Sequence, residues 1–175
     1  MNVYLVGMPG SGKSSVGRAL ASRLKLPFVD LDEEVERQSG RSIPELFSRD
    51  GEAAFRLAES RALASVGGGE RAVVACGGGI VLDPSNRALL VSTGTVVYLG
   101  ASLDTLRSRV GSGEGRPLLA RPQDLERLLR ERAPVYEDVA TIAVESEDAP
   151  EAVAAGIAEA LGSAEHNGRS GSDRR

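Results

Sequence analysis

The chain has 175 residues, with 21 basic and 25 acidic side chains and a formal net charge of −4; this length suits one domain with a real core, and the charge argues against nucleic acid as a partner. Hydrophobic residues at 41% and charged residues at 26% are ordinary for a globular fold, no apolar run approaches the roughly 20 residues of a membrane span, and no signal-peptide pattern opens the chain, so a cytoplasmic protein without membrane contact is expected. One cysteine, Cys76, and one histidine, His166 in a polar stretch, argue against an internal disulfide, a multi-thiolate zinc site and a Ser-His or Cys-His catalytic system.

Short Val-rich runs at 3–6, 27–29, 72–75, 95–99 and 141–144 are nearly continuous in apolar character, the pattern of strands buried on both faces. Between them, helical periodicity predicts helices over 13–25, 32–39, 43–66, 84–92, 102–109, 123–138 and 149–161, the third broken near Asp50-Gly51. Asp83-Pro84 suits a helix start, because Asp caps and Pro fits the first turn. Strand-helix alternation predicts an α/β fold of right-handed βαβ units on a parallel sheet. A single domain is expected over 1–162. Two stretches lack either period. The segment at about 111–120, GSGEGRPLLA, is a candidate mobile lid. Residues 163–175 are small and polar and are expected to form a disordered tail.

Gly7-Met8-Pro9-Gly10-Ser11-Gly12-Lys13-Ser14 follows the first strand and opens the first helix. It fits G-x-x-x-x-G-K-[ST] in the context that motif requires. Glycines at Gly10 and Gly12 let successive N–H groups, including that of Ser11, turn toward phosphate oxygens. The helix N-terminus adds favourable partial charge. Lys13 suits the terminal phosphates and the Ser14 hydroxyl suits Mg²⁺. A nucleoside triphosphate with magnesium is the expected ligand. No Asn-Lys-x-Asp occurs, and the runs at 72–75 and 95–99 do not end in Asp. These absences disfavour a regulatory GTPase and a motor ATPase and leave a small-molecule kinase.

Such a kinase needs an acceptor site. Asp30 and Asp32, at the end of the second strand, would point the same way on an extended chain, toward the crevice that strand C-termini line. One could reach the magnesium shell and the other a substrate hydroxyl; equally, acids there suit the start of a helix. Gly77-Gly78-Gly79 after the third strand would offer bare backbone to a ligand or serve only as a flexible link. The separate triple Gly67-Gly68-Gly69 reads as a helix stop. Arg56, Arg116 and Arg132 stand out by context, since a guanidinium fork matches a small carboxylate.

Together these residues resemble the shikimate kinase family, over essentially the whole chain except the last dozen residues. The matches are the 7–14 loop, Asp30 and Asp32, Gly40-Arg41-Ser42-Ile43, Phe47, Asp50-Gly51-Glu52, Phe55-Arg56 with Glu59, the glycines at 77–79, Arg116-Pro117-Leu118, and Arg132 followed by Pro134 and Tyr136. The resemblance implies a five-stranded parallel sheet of nucleoside-monophosphate-kinase type with helices on both faces. It implies transfer of the γ-phosphate of ATP to the 3-hydroxyl of shikimate, in the chorismate and aromatic amino-acid pathway, by a monomer. Catalysis would then fall to Lys13, Asp32 and Arg116. ATP would meet Gly10, Ser11, Gly12, Lys13, Ser14, Ser15, Arg109 and Arg116, with Arg109 stacking on adenine. Shikimate would meet Asp32, Arg56, Gly77, Gly78, Gly79 and Arg132, with Glu59 orienting Arg56. Mg²⁺ would sit near Ser14 and Asp30. The acidic stretch Glu145, Glu147 and Asp148 departs from the family pattern where adenine would lie, and Cys76 reads as a small buried strand-end residue. The alternatives are a gluconate-kinase-like enzyme, from the same class, and a catalytically silent nucleotide-binding regulator.

Overall fold

The computed structural model describes residues 1–111 and 122–169. Five strands form one parallel sheet: β1 Asn2–Val6, β2 Phe28–Asp30, β3 Val73–Ala75, β4 Gly94–Gly100 and β5 Ile142–Glu145. Their spatial order is β2-β3-β1-β4-β5. Every pairing is parallel, for example Leu5 with Ala75 on one side of β1 and with Val97 on the other. Among the described residues seven α-helices flank them: α1 Lys13–Leu24, α2 Leu31–Ser39, α3 Ile43–Gly67, α4 Pro84–Thr93, α5 Leu103–Val110, α6 Pro122–Val139 and α7 Pro150–Arg169, with a short 3-10 turn at Ile80–Leu82.

The all-apolar strands are explained by cover on both faces. Successive β1 residues point to opposite sides. Tyr4 and Val6 join a core with Leu31, Phe55, Leu63, Val74, Val96 and Tyr136. Val3 and Leu5 join a second core with Val16, Leu20, Val97 and Ile157. Helices α1 and α7 pack together on that second side. Gly17 lets α1 approach the sheet, because a Cβ there would lie 2.5 Å from the Phe28 ring.

Several boundaries differ from the sequence expectations for local reasons. Strand β2 ends at Asp30, whose Oδ1 accepts the Asp32 N–H at 3.1 Å. That N-cap starts α2 at Leu31, so Asp32 lies in a first helical turn rather than on an extended strand. The alternation argument for the two acids pointing the same way therefore does not apply. Helix α3 bends where expected, at Gly51 with φ 82° and ψ 175°. Asp83 caps α4 by accepting the Ser85 N–H at 2.7 Å. Helix α6 runs through Pro134. Helix α7 runs to Arg169, past the expected stop at 161, and the Ser163 hydroxyl donates to Glu159 O at 3.0 Å. Apart from Gly111, the expected lid lies outside the described residues, and so do Arg116 and residues 170–175.

The strand order reverses at β1, so the crevice for ligands opens at its C-terminal end. The opposite end is closed by a buried polar latch. Asn2 Nδ2 donates to the Tyr4 hydroxyl at 2.9 Å, Asn2 Oδ1 accepts from Ala72 N at 2.9 Å, and the Tyr4 and Thr93 hydroxyls are 2.7 Å apart. Asn2→Ala strands the Ala72 N–H. We expect it to lower unfolding free energy in urea by about 1–3 kcal/mol with turnover at the far end unaffected; unchanged stability would contradict the role given to this latch.

Candidate active site

The phosphate loop leaves β1 with Gly7 at φ 149°, Gly10 at φ 85° and Gly12 at φ 87°. The last two values are left-handed, and side chains would strain there. Ser11 N donates to Met8 O at 3.1 Å and closes the turn. Lys13 Nζ lies back across the loop, 2.9 Å from Gly7 O and 2.8 Å from Met8 O. The Ser11 side chain is buried with its hydroxyl unbonded among the described residues, so Ser11 can serve a phosphate only through its backbone. The Ser14 hydroxyl donates to Asp30 Oδ2 at 2.7 Å. One Asp30 oxygen thus caps α2 and the other faces the loop.

A cleft of about 600 Å³ runs from this loop across the ends of β1 and β3. Its walls include Gly10, Gly12, Lys13, Ser14, Ser15, Asp30, Asp32, Arg56, Glu59, Gly77, Gly78, Gly79, Arg109 and Arg132. Of the expected site residues described, only Ser11 is absent from that lining. Arg109, in the last turn of α5, lies against the phosphate loop: its Nη1 would be 3.7 Å from a Cβ on Gly12. Phe47 and Phe55 form an apolar wall, with ring centroids 4.7 Å apart.

The end of the cleft beyond the phosphate loop is built around Glu59, 1% exposed. Its Oε2 accepts from Arg56 Nη1 at 2.5 Å, and Arg56 Nη2 also reaches Glu52 at 3.3 Å. Glu59 Oε1 has no hydrogen-bond partner among the described residues. Burial pushes the Glu59 carboxyl up from its ordinary range, the Arg56 guanidinium pulls it back, and Asp32 adds to the rise. Two of the three glycines at 77–79 pack closely against this pair. A Cβ on Gly77 would overlap Glu59 Oε1, and one on Gly79 would overlap the Arg56 guanidinium. Arg132, 5% exposed, donates from Nη1 to Gly78 O at 3.1 Å. The Tyr136 hydroxyl donates to the same carbonyl.

Two features of the site lay beyond sequence reasoning. The Tyr136–Gly78 bond joins residues 58 apart; the only signal was that Tyr136 belongs to the matched motif. The acidic stretch after β5 also has a use. Glu147 accepts the Ser102 N–H at 2.7 Å and the Thr105 hydroxyl, so it fastens its loop to the N-terminus of α5. Cys76 is buried at the end of β3, and burial pushes its thiol far up, which removes it as a nucleophile. Among the described residues no group of three His, Cys, Asp or Glu could hold a metal alone. Ser14 and Asp30 nevertheless offer adjacent hard oxygen donors, which fits a magnesium ion held mainly by water and phosphate.

A phosphate loop, an acid beside it and a two-arginine pocket on one cleft define a P-loop kinase for a small anionic acceptor. The chain belongs to the shikimate kinase family, whose model matches residues 9–162. It is 49% identical to a shikimate kinase of Gloeobacter violaceus over 158 residues, covering 88% of each chain. It is 44% identical to one of Stenotrophomonas maltophilia over 149 residues, covering 83% of each. Among solved structures, shikimate kinase from Acinetobacter baumannii in complex with shikimate superposes with a TM-score of 0.90 at 37% identity, covering 93% of each chain. A gluconokinase from Sinorhizobium meliloti shares the fold alone, with a TM-score of 0.51 at 22% identity and coverage of 91% of this chain and 94% of that one.

Hydrogen bonds from Ser102 and Thr105 hold the Glu147 carboxyl below its usual range. A carboxylate so depressed stabilises the fold above the unfolded value, about pH 4.3, and ceases to as pH falls through its folded value. Comparing Glu147→Gln with wild type in urea, we expect the stability difference to be largest near neutrality and to vanish in acid. A difference independent of pH would contradict the strap.

Proposed function

We propose that this chain transfers the γ-phosphoryl group of ATP to the 3-hydroxyl of shikimate, giving shikimate 3-phosphate for chorismate and aromatic amino-acid synthesis. The observation that carries this reading is the pairing, across one cleft, of the phosphate loop with a preformed anion pocket in which Arg56 is held by Glu59 and Arg132 by Gly78. A rigid ring acid with hydroxyls opposite its carboxylate fits that span, and the solved relative that superposes with a TM-score of 0.90 holds shikimate.

In this reading Lys13 leaves the Gly7 and Met8 carbonyls for the terminal phosphates of ATP and follows their charge during transfer. Arg109 flanks the adenine side. Ser14 would ligate Mg²⁺ directly and Asp30 through water; bound there, the ion neutralises charge on the phosphates. Asp32 orients the shikimate hydroxyls. As the hydroxyl oxygen bonds to the γ-phosphorus and the bond to the β,γ-bridging oxygen breaks, Asp32 accepts the hydroxyl proton. Arg56 and Arg132 hold the carboxylate, and Gly77, Gly78 and Gly79 let the ligand approach bare backbone. Arg116, from the lid, completes the charge around the transferring group. Every residue in this scheme comes from one chain, so a monomer suffices. No helix among the described residues is long and apolar enough to cross a membrane, and we place the reaction in the cytoplasm, where the lone thiol stays reduced.

An ADP-release assay tests the reading. Shikimate should support turnover, gluconate should give roughly a hundredth of it or less, and Lys13→Met should cut turnover by roughly a hundredfold or more while the protein stays folded. Equal turnover of gluconate would contradict the assignment.

A further inference from the structure

We propose that Tyr136 is a positioning residue for the acceptor subsite: its hydroxyl, by donating to Gly78 O beside Arg132, fixes both the glycine loop and the arginine that receive the ligand carboxylate. This rests on the proposed shikimate reaction and deepens it, since Tyr136 does not line the cleft.

Tyr136 is fully buried and stacks on Tyr98 of β4, with ring centroids 5.3 Å apart and planes 20° apart. The sheet therefore anchors the ring, and the ring carries its hydroxyl to the end of β3. There it shares the Gly78 carbonyl with Arg132 Nη1 at 3.1 Å. The described peptides are all trans, so a carbonyl turned toward α6 sends the next N–H, that of Gly79, the opposite way. The bond thus sets the orientation of a backbone amide in the loop. It also braces Arg132, which hydrogen-bonds the Tyr136 hydroxyl as well as Gly78 O. A guanidinium has five N–H donors, so others remain for a carboxylate. Burial pushes the Tyr136 phenol up to about 12, so it stays a donor throughout the neutral range. The phosphate loop lies nearby but is held separately by the Ser11 N to Met8 O bond, and nucleotide binding should not depend on Tyr136.

Tyr136→Phe removes only the hydroxyl. It keeps the ring on Tyr98 and leaves Gly78 O bonded to Arg132, so the chain should fold; thermal unfolding checks this. We expect KM for shikimate to rise about tenfold, with KM for ATP and kcat within about twofold of wild type. Tyr98→Phe, which alters the stacking partner and leaves the Gly78 bond alone, should change neither KM. Para-aminophenylalanine at 136 restores an N–H donor at the same ring position and should bring KM for shikimate back to within about twofold. An unchanged shikimate KM in Tyr136→Phe overturns the proposal, as does an equal rise for both substrates or a para-aminophenylalanine variant as impaired as Phe. Wild type without shikimate turnover would overturn the functional reading, and this inference with it; wild-type turnover with an insensitive Tyr136→Phe would overturn this inference alone.

Discussion

A carboxylate taken out of water must meet a cation or lose its charge. Glu59 is such a carboxylate, and Arg56, one turn earlier on α3, is what meets it. Much of the proposed acceptor site follows from giving that pair room. The backbone leaving β3 passes so close that side chains at 77 and 79 would overlap Glu59 and Arg56. The loop is therefore glycine there for want of space, and its bareness also opens it to a ligand. Because β3 pairs with β1, strand spacing of about 4.8 Å places this loop next to the phosphate loop.

The cleft of a chain with net charge −4 nonetheless gathers Lys13, Arg56, Arg109 and Arg132. Arg56 and Arg132 are already held, by Glu59 and by the Gly78 carbonyl. Side chains fixed before the ligand arrives lose little further freedom on binding. Phosphoryl transfer asks for positioning and charge neutralisation more than for covalent chemistry, and these residues offer both without a histidine or a reactive thiol.

The described strands and α-helices were legible in order because each leaves a local trace: a Val-rich run, a 3.6-residue period, an Asp-Pro start. The phosphate loop was legible for the same reason, its glycines and lysine being consecutive. Asp30 and Asp32 both line the cleft as expected, but not by strand alternation: the Asp30 side chain captures the Asp32 N–H and starts the helix, and composition does not show that. The glycines at 77–79 were read as bare backbone for a ligand or as a flexible link; neither reading foresaw that Gly77 and Gly79 pack against the Arg56–Glu59 pair some 20 residues earlier in the sequence. Glu147 looked like an obstacle to adenine until its partners, Ser102 and Thr105, were seen. Such contacts join residues more than 40 apart and carry no local pattern.

The central claim is that Arg56 and Arg132 form a carboxylate site in advance of the ligand. Calorimetric titration of the nucleotide-free protein with shikimate, and with the analogue whose carboxylate is reduced to an alcohol, tests it most directly. The account predicts that shikimate binds and that the alcohol binds more weakly by about 2–5 kcal/mol, at least about thirtyfold in Kd, because the buried Arg132 and the partly buried Arg56 lose their anion. Equal affinity for acid and alcohol would contradict it.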